Sequence, residues 1–243
     1  MKTPVLLLAS LCCGLAAQAT PVTLTAKDGV RIHGESVAPP RGSAQPLIVL
    51  FHQAHSNKTE YAPIQPRLLA LGYGSLAIDQ RSGREMFGAQ NQTARALKKP
   101  AGYEEAMPDL EAALAYGVAH SPTHTVILWG SSYSAALVFP LAAAHPQEVA
   151  AVLAFSPGEY FENKTKIRTA AAKVTAPLFV TSSPSAEEVG EAKAILGASP
   201  SKTKVQFVPK VGVHGASILR EDRDPKGASA AWSAVEKFLA ALH

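Results

Sequence analysis

Residues 125–134 constrain the fold of this chain more than any other stretch, because a strand pattern changes there abruptly into a turn of small residues. The first half is a β-branched and aromatic run with the length of a buried strand, and a helical pattern follows the second half. A strand that turns directly into a helix holds one side chain at the apex of a tight bend, where the residues two before and two after must be small. Gly130 and Ser134 meet this requirement, so we expect Ser132 at the apex.

The rest of the chain predicts an α/β fold with a mainly parallel, doubly wound sheet. Alternating runs at residues 22–25 and 30–37 flank an Asp-Gly turn and predict an N-terminal antiparallel hairpin. Strand-length apolar runs, the first at residues 47–51, then alternate with helical patterns, which is typical of parallel strands covered on both faces. Such sheets bind ligands beyond the carboxyl ends of their strands. The residues expected there are His52, Asp79, Ser132, Glu159, Glu187 and His214.

The helical patterns carry signals for their ends. We expect a helix from near Thr59 to Gly72 and another that opens at Pro108. Ser185 and Glu188 have the spacing of a capping box at the start of a third. Residues 84–102 have no apolar period, and so long an irregular stretch in a domain is usually functional.

The length and charge indicate one domain without a polyanionic partner. A chain of 243 residues suits a single α/β domain, and it contains no linker or repeat. The net charge of +4 is mild and the basic residues are scattered, which argues against a nucleic-acid or membrane-surface role.

The N-terminus has the pattern of a secretory signal peptide. Lys2 precedes an apolar run at residues 5–17 that is too short to span a bilayer, and an Ala-Gln-Ala site ends at Ala19. We therefore expect a signal peptide at residues 1–19, a single domain at residues 20–243, and export to the periplasm or medium. Cys12 and Cys13 lie within the removed segment; the residues before them fit a lipoprotein site poorly.

Taken together, the chain resembles the α/β-hydrolase fold, and within it the dienelactone-hydrolase-like branch. The resemblance covers residues 46–242 and rests on residues 50–52, on the turn at 130–134 and on residues 212–215 around His214. The chain order Ser, acid, His is that of the family. Because dienelactone hydrolase has a cysteine where this chain has Ser132, the resemblance implies the chemistry of serine esterases.

The resemblance assigns roles to particular residues. Ser132 is the expected nucleophile and His214 the base that activates it. The oxyanion hole is expected at the backbone N–H groups of Tyr133 and, by the family's pattern, Ala54. Near them, the loop departs from the His-Gly of relatives, because Gln53 follows His52. Although His55 stands three residues after His52, no third ligand has suitable spacing, and we expect neither a metal nor an organic cofactor.

The acid of the triad is the least determined residue. The family places the acid after the strand that is predicted here at residues 177–181. The turn that follows contains no Asp, and Glu187 is the nearest carboxylate. The capping box accounts for Glu188. Glu159 is the alternative acid, because some α/β hydrolases carry the acid after the preceding strand. Asp79, or no acid at all, also stays open.

The sequence thus predicts an exported serine hydrolase that cleaves small carboxylic esters through an acyl-enzyme intermediate. A small substrate is expected because no large cap domain interrupts the core. Arg84, Arg95, Lys98 and Lys99 either line the mouth of the site and favour anionic substrates, or belong to a solvated loop. Two alternatives stay open: a peptidase or amidase of the same fold, and a non-catalytic binding protein, suggested by the missing Asp and the altered oxyanion loop.

Overall fold

An eight-stranded sheet forms the centre of the computed structural model, which describes residues 19–242. The strands are β1 (Thr20–Thr25), β2 (Arg31–Val37), β3 (Leu47–Phe51), β4 (Ser75–Ile78), β5 (Val126–Ser131), β6 (Val149–Phe155), β7 (Leu178–Thr181) and β8 (Lys204–Phe207). Their order across the sheet is β1-β2-β4-β3-β5-β6-β7-β8. The predicted signal peptide lies outside the described residues, apart from Ala19.

The sheet is parallel from β4 to β8 and antiparallel at the edge made by β1 and β2. This confirms the predicted doubly wound sheet with an N-terminal hairpin. The parallel pairing places the carboxyl ends of β3, β5, β6 and β7 side by side, with Phe51 opposite Gly130 and Ser131 opposite Phe155. The residues that follow these strands therefore meet at one edge of the sheet.

Seven helices cover the two faces of the sheet in the described part of the chain. They are α1 (Gln65–Ala70), α2 (Gln92–Ala96), α3 (Met107–His120), α4 (Tyr133–Ala144), α5 (Lys166–Ala171), α6 (Ala186–Ala198) and α7 (Ala228–Ala240). Alternate residues of β3 enter different cores: Val49 joins the one formed with α3 to α6, and Leu50 joins the one formed with α1 and α7. Burial on both faces explains why the parallel strands are apolar throughout.

The helix expected from near Thr59 to Gly72 is wrong in its extent. The chain instead forms a short 3₁₀ turn at Lys58–Tyr61 and begins α1 only at Gln65. Pro63 and Pro66 have no N–H to continue the ladder of helical hydrogen bonds, so the helix breaks between the two pieces. The apolar period predicts Tyr61, Ile64, Leu68 and Leu71 as its inward residues; the first three are fully buried and Leu71 is half-buried.

Residues 84–102 are more ordered than their sequence pattern indicates. They contain α2, and the Asn57 side chain donates hydrogen bonds from Nδ2 to the carbonyl oxygens of Met86 (2.9 Å) and Ala89 (2.8 Å). Among the described residues, no helix combines the length and apolar character needed to span a bilayer.

Candidate active site

Ser132 lies at the apex of the turn between β5 and α4. Its φ of 58° and ψ of −123° lie outside the regions that most residues favour. A Cβ on Gly130 would lie 2.5 Å from the carbonyl oxygen of Ser134, which explains the glycine. Ser134, the second small residue, also makes hydrogen bonds. Its hydroxyl donates to the carbonyl oxygen of His52 (2.6 Å) and accepts from the side-chain amide of Gln80 (2.6 Å).

Three side chains form a continuous hydrogen-bonded chain at this edge of the sheet. Ser132 Oγ lies 2.8 Å from His214 Nε2, and His214 Nδ1 lies 3.1 Å from Glu188 Oε1. If His214 carries its proton on Nδ1, it donates to the carboxylate and accepts from the serine hydroxyl. This is the arrangement in which an imidazole can remove the serine proton while a carboxylate stabilises the imidazolium.

The carboxylate at His214 belongs to Glu188, not to Glu187 as the sequence indicated. The predicted cap is present, because Ser185 Oγ accepts from the backbone N–H of Glu188 (3.3 Å). That bond uses only the main chain of Glu188 and leaves its carboxylate to reach His214. Glu187, the residue before it, is exposed.

The other candidate acids serve the backbone elsewhere. Glu159 caps α5, where its carboxylate accepts from the N–H groups of Ile167 (2.8 Å) and Arg168 (2.9 Å). Asp79 is fully buried and accepts from the N–H groups of Lys58 and Gln92, both at 2.8 Å. The alternative acids therefore lie in structural positions and not at His214.

Ser156, which the sequence analysis missed, joins Glu188 to the loop of the base. Its hydroxyl donates to Glu188 Oε2 (2.7 Å) and accepts from the N–H of Gly215 (2.9 Å). The N–H of Ser183 also reaches Glu188 Oε2, at 3.0 Å. Burial raises the pKa of Glu188, but hydrogen bonds from Ser156, His214 and Ser183 outweigh this effect and hold that pKa below its ordinary value. The acid is thus held in its charged form.

The oxyanion hole is expected at the backbone N–H groups of Tyr133 and Ala54. Tyr133 is the first residue of α4, and an N–H in the first turn has no partner within its own helix. In the loop after β3, the N–H of Gln53 is occupied by Glu60 Oε2 (2.8 Å), and the half-buried Ala54 follows it. The assignment of the Ala54 N–H to the oxyanion hole stays a prediction.

His52 is held by the surrounding loops and does not face the triad. Its Nδ1 lies 2.8 Å from the carbonyl oxygen of Gln53, and its Nε2 accepts from the N–H of Gln80 (3.0 Å). Complete burial lowers the pKa of His52 to about 4, which keeps the ring neutral. Within residues 19–242, no three His, Cys, Asp or Glu side chains converge in a way that would hold a metal ion.

Two cavities are lined by residues that belong to the site or pack against it. One, of about 620 Å³, is lined by parts of residues 81–103, including Arg84, Arg95 and Tyr103, whose ring lies 4.6 Å from that of Tyr133. The other, of about 690 Å³, lies on the acid side and is lined by Tyr160, Glu187 and Glu188 among others. Part of the segment expected at the mouth of the site therefore borders a cavity, while the exposed Lys98 and Lys99 do not line it.

Several solved structures are similar to this fold. A dienelactone hydrolase from Anabaena variabilis superimposes with a TM-score of 0.71 at 16% identity, over 93% of this chain and 98% of that one. An esterase from Pyrococcus furiosus gives 0.67 at 20% identity, over 99% and 98% of the two chains. A cold-adapted esterase from an Arctic intertidal metagenomic library gives 0.68 at 20% identity, over 92% and 94%.

Sequence comparison provides the family. No match was found among curated proteins. The family model described as serine aminopeptidase, S33, matches residues 42–208, which is more than half of the chain and includes Ser132 and Glu188. Together with the fold, this match shows that the chain belongs to the serine aminopeptidase (S33) family of α/β hydrolases and is dienelactone-hydrolase-like in architecture.

Proposed function

We propose that this hydrolase is a serine esterase that cleaves small carboxylic esters through an acyl-enzyme intermediate. The supporting observation is the unbroken hydrogen-bonded chain from Ser132 Oγ through His214 to Glu188. A serine hydroxyl is a weak nucleophile near neutral pH, so catalysis requires a base in hydrogen-bond contact with it. The structural similarity to two esterases of the same fold supports the choice of ester substrates.

The proposed reaction uses only groups of the protein and water. Ser132 Oγ attacks the ester carbonyl carbon while His214 Nε2 takes its proton, and Glu188 stabilises the resulting imidazolium. The negative oxygen of the tetrahedral intermediate accepts hydrogen bonds from the N–H groups of Tyr133 and Ala54. His214 then protonates the leaving alkoxide, and the acyl group remains on Ser132. Water, deprotonated by His214, releases the carboxylic acid and restores the serine.

Covalent labelling tests this proposal directly. A fluorophosphonate probe should label the purified protein at Ser132, and p-nitrophenyl acetate should be hydrolysed. Ser132→Ala should abolish labelling and lower kcat by several orders of magnitude, on the order of 10⁴ to 10⁶. Ser36→Ala, on the antiparallel strand β2, is the control and should behave as wild type. Undiminished labelling of Ser132→Ala would assign the nucleophile to another serine.

A peptidase or amidase is the second candidate, since the matching family model is described as serine aminopeptidase. Aminoacyl p-nitroanilides and p-nitrophenyl esters, assayed side by side, separate the two activities. A kcat/KM that is higher for the anilides would make amide cleavage the main reaction. A folded wild-type protein that neither labels nor turns over any of these substrates would instead be a binding protein.

We further propose that the protein is exported after removal of residues 1–19. The support is the charged, apolar and Ala-Gln-Ala pattern of the N-terminus. Mass spectrometry of the protein from its native host should give Thr20 as the first residue. An intact or lipid-modified N-terminus would contradict secretion as a soluble protein.

A further inference from the structure

Glu60 is a fully buried carboxyl group for which the proposed reaction has no use. It lies in the 3₁₀ turn that follows the loop after β3. Burying a carboxyl group costs free energy unless hydrogen bonds compensate for the lost water. The partners of Glu60 therefore indicate what it does.

The two oxygens of Glu60 accept hydrogen bonds from two different loops. Oε2 accepts from the backbone N–H of Gln53 at 2.8 Å, and Oε1 accepts from the hydroxyl of Ser131 at 2.7 Å. Ser131 Oγ in turn accepts from the backbone N–H of Ala216, also at 2.8 Å. The carboxyl group thus connects three loops that are distant in sequence.

Each of these loops holds one part of the proposed machinery. Gln53 precedes Ala54, Ser131 precedes the nucleophile, and Ala216 lies two residues after His214. We propose that Glu60 is a positioning residue that links the oxyanion loop, the nucleophile and the base. This inference rests on the proposed function.

Close packing around Ser131 supports this role. Gly215, between His214 and Ala216, has a φ of +71°, and a Cβ there would lie 2.5 Å from Ser131 Oγ. No other residue type fits without displacing the loop. Small errors of position are costly in catalysis, because a displacement of about 1 Å can reduce the rate by about 10²-fold.

The link through Glu60 parallels the one through the triad acid. Ser156 accepts from the N–H of Gly215 and donates to Glu188, just as Ser131 accepts from the N–H of Ala216 and donates to Glu60. Two successive N–H groups after His214 are thereby held by two separate serine–glutamate pairs.

The charge state of Glu60 sets the conditions of the test. Burial raises the pKa of Glu60 to about 7, while the hydrogen bonds from Gln53 and Ser131 and the guanidinium of Arg220 act in the opposite direction. Arg220 itself donates to the carbonyl oxygen of Glu60, at 3.1 Å. The other ionisable residues of this turn are Tyr61 and Lys58, whose ammonium pairs with Asp79. At pH 8 the carboxylate is mainly charged and can accept both hydrogen bonds.

Glu60→Gln tests the proposal, because it keeps the volume but replaces one acceptor by an NH₂ group. At pH 8 we expect kcat for p-nitrophenyl acetate to fall about tenfold, which corresponds to about 1.4 kcal/mol. KM should change less than about twofold, and fluorophosphonate labelling of Ser132 should slow in parallel. A loss confined to folding would instead lower the amount of active enzyme without altering kcat per labelled site.

Asp224→Asn is the matched control. Asp224 is also a buried carboxyl group that accepts a backbone N–H, that of Gly227 at 3.0 Å, but this partner belongs to none of the three loops that Glu60 connects. The variant should lower the melting temperature and leave kcat per labelled site near the wild-type value. An equal loss of kcat in Asp224→Asn and Glu60→Gln would show a general effect of stability and overturn the proposal.

Ser131→Ala provides a second route if Glu60→Gln fails to fold. It removes the hydroxyl in the middle of the link and should lower kcat selectively in the same way. The double variant should be no more than about twofold slower than Ser131→Ala alone, because both changes break one connection. Additive losses, or wild-type kcat in the single variants, would overturn the proposal. A wild-type protein that does not label would refute the proposed function itself, and the inference with it.

Discussion

Glu187 and Glu188 are adjacent carboxylates whose side chains have different surroundings, and this difference can be measured. Glu188→Gln removes the charge beside His214 that, in the proposed reaction, stabilises the imidazolium. We expect it to lower kcat by about 10² to 10⁴, with 10⁴ the loss known for Asp→Asn in a serine protease triad. Glu187→Gln, next to it and exposed, should keep kcat within about twofold of wild type.

Steady-state kinetics with p-nitrophenyl acetate measure both variants, and fluorophosphonate titration gives the fraction of competent Ser132. The two variants should melt at similar temperatures. A low kcat in Glu187→Gln beside a normal one in Glu188→Gln would return the acid to the residue that the sequence indicated. Normal activity in both would mean that His214 works without a carboxylate.

At the residue level, the structure brings the predicted Ser132 and His214 together but places Glu188, and not Glu187, beside His214, and there is a physical reason. The spacing of Ser185 and Glu188 correctly predicted a helix cap, yet the cap uses the backbone N–H of Glu188 and leaves its carboxylate available. The Ser185–Glu188 spacing predicts the bond to the backbone of Glu188 but not the direction of its side chain. Ser156 and Glu60 were missed because only the packing of loops distant in sequence gives them their partners.

At the scale of an element, the start of α6 determines where Glu188 lies. Ser185 is the N-cap, and Glu188 lies in the first helical turn. Ser185→Ala should lower the free energy of unfolding by about 1 kcal/mol, because a capped N–H loses its acceptor. A frayed first turn should also reduce kcat, but by less than Glu188→Gln does. Urea denaturation and steady-state kinetics measure the two effects.

Thr165→Ala is the matched control for the cap. Thr165 occupies the N-cap position of α5, but its side chain makes no capping hydrogen bond. Its replacement should change the free energy of unfolding less than Ser185→Ala does and leave kcat unchanged. Equal losses in the two variants would mean that the Ser185 cap has no special part in holding Glu188.

Strands were easier to predict than helices in this chain. The run at residues 47–51 coincides with β3, since a parallel strand buried on both faces must be apolar throughout. The prediction of one helix from near Thr59 to Gly72 was wrong. The apolar period continues through Pro63 and Pro66, but the helical hydrogen bonds of the backbone do not. Apolar periodicity reports which side chains are buried, and here they are buried on two separate pieces of chain.

At the scale of the whole molecule, the two glutamates held by serines should affect stability in opposite directions as pH changes. The pKa of Glu188 lies below its ordinary value in the folded protein, so its contribution is present above about pH 4.5 and is lost as pH falls through the folded pKa. The pKa of Glu60 is raised from 4.5 to about 7. The folded state therefore binds more protons than the unfolded state between these values, and stability falls as pH rises through that window.

Urea denaturation at several pH values tests this difference, with each glutamate compared with its Gln variant. The stability of wild type relative to Glu60→Gln should fall from pH 4.5 to pH 7 and level off above it. The stability of wild type relative to Glu188→Gln should fall only on the acidic side of about pH 4.5. A stability difference for Glu60→Gln that does not vary with pH would mean that Glu60 titrates alike in the folded and unfolded chains. Its complete burial makes that outcome unexpected, because burial disfavours the charged carboxylate more than the hydrogen bonds from Gln53 and Ser131 and the charge of Arg220 favour it.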